Sequence, residues 1–178
     1  AARRISAEYF SCSVPLPYKQ AYNDVFEFFN RAIVLPEFQE EDGEQYLDLS
    51  CPKLRTRVQA VLLHNIGVAY HLHGVSFGDS TALSQALTYY GYAYYAIESS
   101  AKRFGFQDVL LLLLSCFNNM GSIHESFVND KTRHCLRWMQ SIFATPNIKN
   151  ILTEGDYSFF LRYISVDSSQ QLLLSPAA

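Results

Sequence analysis

One short phrase occurs twice in this chain. Residues 63–70 read LHNIGVAY and residues 117–124 read FNNMGSIH. Both run bulky apolar, polar, Asn, apolar, Gly, two residues, then Tyr or His. On a helix, a glycine between larger groups leaves a notch into which a neighbouring helix can close. Two such notches predict stacked helical hairpins, each covering the apolar face that its neighbour leaves open.

The 178 residues suffice for one domain with a real core and are short for two. Apolar residues at 49% and charged ones at 17% are globular rather than disordered proportions. A net charge of −3 argues against a nucleic-acid binder, which would show a basic face. The basic clusters Arg3/Arg4, Lys53/Arg55/Arg57 and Lys131/Arg133/Arg137 read as solvated positions. The apolar run from Val109 to Phe117 is too short to cross a membrane. Cys12, Cys51, Cys116 and Cys135 follow no disulfide-scaffold or zinc spacing, and no Asn-x-Ser/Thr sequon occurs. An intracellular protein with reduced thiols is the expectation, in cytoplasm or nucleus, with an organelle open as the alternative if a presequence preceded Ala1.

Along the chain, residues 1–17 read as an extended arm closed by Pro15 and Pro17. Residues 18–35 carry Tyr22, Val25, Phe28, Phe29 and Ala32 at helical spacing, and a helix is expected there, with a strand as the competing reading. Pro36 to Pro52 is an acidic loop around Gly43. Helices are expected over 55–73, from Asp79 or Ser80 to about Lys102, over 107–127, and from Asn129 or Asp130 to about Ala144. Thr145-Pro146-Asn147 turns the chain, 148–164 forms a shorter closing helix, and 165–178 is an irregular tail.

Leu63, Ile66, Gly67 and Tyr70, followed by Ala86, Tyr90 and Ala93, match the two halves of the tetratricopeptide pattern. Phe117, Met120, Gly121 and His124 match the first half again. Residues 55–144 therefore resemble a divergent pair of tetratricopeptide-like hairpins. The resemblance implies a single all-α domain over 1–178: antiparallel hairpins stacked as a short α-solenoid with an extended N-terminal arm and an irregular C-terminal tail. The chain departs from that pattern in spacing, since 54 residues separate Gly67 from Gly121 against a standard period of 34. The fourth helix also lacks the small-residue signature, offering Thr132 and Leu136, or Arg133 and Arg137, in its place.

In that family the first helices line a groove for peptide segments. Carried over by position, the groove would present Val61, His64, Val68, His71 and Leu72, then Ser115, Asn118, Ser122, Glu125 and Ser126. It holds no Lys or Arg to clamp a carboxylate, so an uncharged or weakly basic segment fits better. Asn65 and Asn119 read as holding backbone geometry rather than ligand. Metal binding is not expected, because His64, His71 and His73 lack the close pairing that zinc needs, and no cofactor motif occurs. Cys116, His124, His134 and Cys135 make a nucleophile pair imaginable, but Cys116 lies in an apolar run where a thiol behaves as a small hydrophobe. Tyr89, Tyr90, Tyr92, Tyr94 and Tyr95 point in too many directions for one core, so some are expected at a surface where aromatics anchor partners. The resulting expectation is a non-enzymatic scaffold that binds a protein partner in the groove or on the tyrosine-rich face. The alternative is a structural subunit held in a larger assembly, and a Cys/His enzyme comes third.

Overall fold

A computed structural model describes residues 13–15, 28–33, 52–99, 109–162 and 164. These are overwhelmingly helical. Helix α1 (Pro52–Phe77) and α2 (Ser80–Glu98) form a hairpin, as do α3 (Leu110–Ser126) and α4 (Lys131–Phe143). A 3-10 turn (Ile148–Asn150) leads to α5, residues 154–162. Two short strands, β1 (Ser13–Pro15) and β2 (Arg31–Ile33), pair antiparallel with Ser13 opposite Ile33.

The boundaries follow local chemistry. Asp79 caps α2, its carboxylate accepting from the N–H groups of Thr81 (2.9 Å) and Ala82 (3.2 Å). Asn129 does the same for α4, accepting from Lys131 N–H at 3.0 Å. Thr153 caps α5 and is tied to Asp156 on the first turn. The Thr153 hydroxyl donates to the Asp156 carboxylate at 2.8 Å and accepts from the Asp156 N–H at 3.1 Å.

Helix α1 does not end near Gly74 as expected; it runs on to Phe77, and Gly78 takes the left-handed turn at φ +67°. Gly74 is instead a packing position, where an added Cβ would lie 2.6 Å from the Leu83 side chain. The larger correction concerns residues 28–33. They are extended rather than helical, with β2 inside them. Phe28, Phe29 and Ile33 suit an extended chain, and side chains of other elements take up the backbone bonds that a helix would make internally. The expected acidic loop over 36–51 and the tail over 165–178 lie outside the described residues.

The core sits where α1, α2 and α3 meet. Gly67, Ala86, Tyr90, Ala93 and Gly121 are all buried, and α3 is buried on nearly every side. The Tyr90 ring occupies the notch at Gly67: a Cβ there would stand 2.8 Å from two ring carbons. On the second hairpin, Phe117 stacks on Trp138 of α4 with centroids 5.6 Å apart and planes 4° from parallel. Leu63 and Met120 are half-buried against the core, whereas Ile66 and Tyr70 face solvent.

The notch yields a paired prediction. Gly67→Ala should cost about 1–2 kcal/mol, because overpacking against the Tyr90 ring outweighs the helix propensity gained. Gly91 has nothing within 4 Å of an added Cβ. Gly91→Ala should therefore stabilise by about 0.5–1 kcal/mol. Urea denaturation midpoints of the two variants check both signs.

Candidate functional site

The asparagines of the two phrases meet one extended segment. On α3, Asn119 accepts at Oδ1 from the Phe29 N–H (2.9 Å) and donates from Nδ2 to the Phe29 carbonyl (3.2 Å). On α1, Asn65 repeats the arrangement with Ile33, accepting from its N–H and donating to its carbonyl, each at 2.9 Å. Phe29 and Ile33 lie four residues apart, so in an extended chain their polar groups leave the same edge, about 13 Å from one another. The two amides thus take the place of a neighbouring strand and satisfy groups that burial would otherwise leave unpaired.

Side chains of the segment are gripped on both faces. Phe29 packs against Phe159 and Phe160 of α5, with centroids 5.1 and 4.9 Å away. Arg31 donates from Nη1 to the buried Asp156 carboxylate at 3.1 Å. The Phe28 ring lies on the imidazole of His71 at 3.9 Å.

Behind the segment a polar chain crosses three helices. Asn119 also donates from Nδ2 to Tyr90 Oη (3.1 Å), and Tyr90 Oη lies 3.3 Å from His71 Nδ1. Asn118 donates to Asn119 Oδ1 at 3.2 Å, so the Asn119 amide uses both protons and both lone pairs. Tyr90 Oη accepts from Asn119, and it donates to His71 when the imidazole proton sits on Nε2 and accepts from His71 when it sits on Nδ1. Burial keeps both groups neutral, holding His71 down at about 3 and raising the Tyr90 phenol. His64 is held at about 4 by burial, partly offset by its 3.2 Å bond to Asn65.

Of the residues placed in the groove by position, His64, Val68, His71 and Asn118 are buried, while Ser122 and Glu125 are half-buried. The structure brings His71 and Asn118 into one network with the chain's own segment 28–33 rather than leaving them on an open surface. Asn65 and Asn119 do hold backbone, though that of a segment far away in sequence. Their repetition at one position of the phrase was the available signal; nothing in the phrase itself names the segment they hold.

The two cysteines among the described residues offer no nucleophile pair. Cys116 and Cys135 are free and buried, with no hydrogen bond to a histidine among the described residues. Burial raises both, Cys135 to about 11, so each stays protonated near neutrality. The His134 Nε2 accepts instead from Trp138 at 3.0 Å. No group of His, Cys, Asp or Glu among the described residues could hold a metal ion, and no described helix is long and apolar enough to cross a membrane.

The second candidate surface is the outside of the first hairpin. Leu62, Ile66, Tyr70 and Phe77 of α1 are exposed, as are Tyr92 and Tyr95 of α2. Tyr70 stacks on Tyr89 at 5.4 Å, and Tyr89 meets Tyr92 edge-on at 6.4 Å, which joins the two helices into one aromatic surface. No protein family, curated protein or solved structure matches this chain.

Truncating Asn119 orphans the N–H and carbonyl of Phe29 together with part of the Tyr90 network. Asn119→Ala should cost roughly 2–4 kcal/mol and Asn65→Ala roughly 1–3 kcal/mol in urea denaturation.

The histidines predict a pH dependence. Unfolded, each takes up a proton near pH 6.5; folded, His64 waits until about 4 and His71 until about 3. Below pH 6.5 the unfolded chain binds more protons, so stability is full above that value and falls with pH toward 4. The slope is about 1.4 kcal/mol per pH unit for each histidine. Denaturation at pH 7 and pH 5 measures it, and His71→Gln should reduce it by about half.

Proposed function

We propose that this chain is a non-enzymatic interaction scaffold: two helical hairpins of tetratricopeptide kind that stack around an internally filled groove and bind a protein partner on the outer, tyrosine-rich face. One observation carries the reading. Large apolar groups stand in solvent along a continuous surface of the first hairpin, with Leu62 55% and Phe77 75% exposed. Contiguous exposed apolar surface of this kind marks interaction sites, and tyrosines serve there as anchors.

The polar groups that sequence reasoning assigned to the groove support the same division of labour. His71 and Asn118 are joined through Tyr90 and Asn119 to the network that holds the chain's own segment. Cys116 and Cys135 are buried and protonated, which favours binding over catalysis at these two thiols.

Retention of proteins from the native source on immobilised chain tests this reading. Wild type should retain proteins that the double variant Leu62→Glu/Ile66→Glu does not, while the two share one denaturation midpoint. Identical retained sets would overturn the reading.

The breadth of the same surface favours a second arrangement, a subunit that keeps its partner permanently. In that case the isolated chain should self-associate with rising concentration in sedimentation runs, whereas the exchanging scaffold remains a monomer.

A further inference from the structure

Helix α4 carries Lys131, Arg133 and Arg137 and no acidic residue, and all three are exposed. The chain as a whole carries −3, so without these three positive charges the remainder carries −6. Arg133 and Arg137 stand one helical turn apart, where like charges repel. Neither has an ion-pair partner among the described residues. The fold thus gains nothing from placing them together, whereas a carboxylate between them would be held by both guanidinium groups.

A second pair at the same spacing, His134 and Trp138, lies beside the first on the exposed side of the helix. The indole Nε1 donates to His134 Nε2 at 3.0 Å, and the ring lies parallel to Phe117 with planes 4° apart. Tyr94 of α2 in turn meets Phe117 edge-on at 5.3 Å. The ring is therefore fixed by a hydrogen bond and a stacking contact, yet Trp138 remains 42% exposed. A tryptophan already held in place loses little freedom when a partner covers it. Trp beside Arg is also the composition of the residues that carry most of the energy in protein interfaces.

We infer that the exposed face of α4 is a docking site for an acidic segment of a partner protein, whose carboxylates meet Arg133 and Arg137 while an apolar side chain covers Trp138. This surface is separate from the outer face of the first hairpin and does not depend on it. Charge complementarity selects the occupant. A long polyanion, such as a nucleic acid or an anionic membrane, would also face the negative remainder of the chain. A short acidic segment meets α4 alone, because charges farther away than a Debye length of about 8 Å are largely screened.

The fluorescein-labelled peptide EEDFLDEE, amidated at its C-terminus, serves as the probe, titrated with the full chain at low salt and followed by anisotropy. Saturable binding is expected, and the unlabelled peptide should shift the emission of Trp138, the chain's one tryptophan. Arg133→Gln/Arg137→Gln should weaken binding at least tenfold with an unchanged denaturation midpoint. Arg55→Gln, which removes one exposed charge on α1, should leave it unchanged. Leu62→Glu/Ile66→Glu should also bind as wild type does, which keeps the two surfaces distinguishable. Absence of saturable binding, equal binding to the double arginine variant, or an equal effect of Arg55→Gln overturns the proposal. On the unmodified chain, the peptide EEDSGDEE, which lacks the apolar pair, should bind at least threefold more weakly. Equal binding would mean that charge alone suffices, and this overturns the seat on Trp138. Tighter binding of a single-stranded RNA or of phosphatidylserine vesicles, with the same dependence on Arg133 and Arg137, overturns the acidic segment in favour of a phosphate-bearing partner. A dimer that Arg133→Gln/Arg137→Gln converts to monomer in sedimentation overturns it in favour of a second copy of this chain.

Discussion

Helices α1, α2 and α3 are held together at the ring of Tyr90. Its face fills the space that Gly67 leaves on α1, and its hydroxyl stands between Asn119 of α3 and His71 of α1. A close apolar contact and a directed polar one therefore act on the same side chain. The glycine sets how near the helices come, and the hydroxyl sets their rotation and register, because hydrogen bonds are directional where dispersion contacts are not. A phenylalanine at position 90 could fill the notch but would leave the Asn119 amide and the His71 ring without a shared partner in a buried place, where such losses are costly.

The extended segment depends on the same arrangement. Tyr90 and Asn118 occupy the hydrogen-bonding capacity that Asn119 does not use on Phe29, which fixes the orientation in which its amide meets the segment. Once Phe29 and Ile33 are held, their neighbours define the far wall: Arg31 meets Asp156, and Phe29 fills the gap against Phe159 and Phe160. Helix α5 is thereby joined to the hairpins through a segment more than a hundred residues earlier in the chain. Contacts of such sequence separation carry a loop-closure cost that local hairpins do not, and the satisfied polar groups help to offset it.

With the interior committed in this way, the two copies of the phrase perform different tasks. The second copy, on α3, is enclosed by α2, α4 and the extended segment. The first copy, on α1, is covered by α2 and the segment but leaves Leu62, Ile66 and Phe77 in water. An apolar helix face in water is the feature that sets this surface apart from the ordinary scatter of single exposed hydrophobes. The binding reading is built on that exposed face, and it assigns His64 and His71 a structural place, neutral and enclosed.

The four hairpin helices, the caps at Asp79 and Asn129 and the notch at Gly67 were legible in the sequence, because each depends on residues within a few positions of one another: Asp79 on the next turn, Gly between larger groups, apolar side chains every third or fourth place; the closing helix, expected over 148–164, begins only at 154 behind the Thr153 cap. The glycine at position 74 was harder to interpret, since a helix stop and a packing notch call for the same residue. Residues 28–33 were misread, and the reason is general. Phe28, Phe29 and Ala32 satisfy a helical period and an extended one alike, and the choice rested on where the backbone bonds could go. That depended on Asn65 and Asn119, which only the folded chain brings to the segment's edge. Local periodicity thus determined the helices and their hairpin pairing. The tertiary structure decided which segment the asparagines hold, which histidines are enclosed, and which copy of the phrase remains open, because each of those depends on contacts between residues that the sequence keeps far apart.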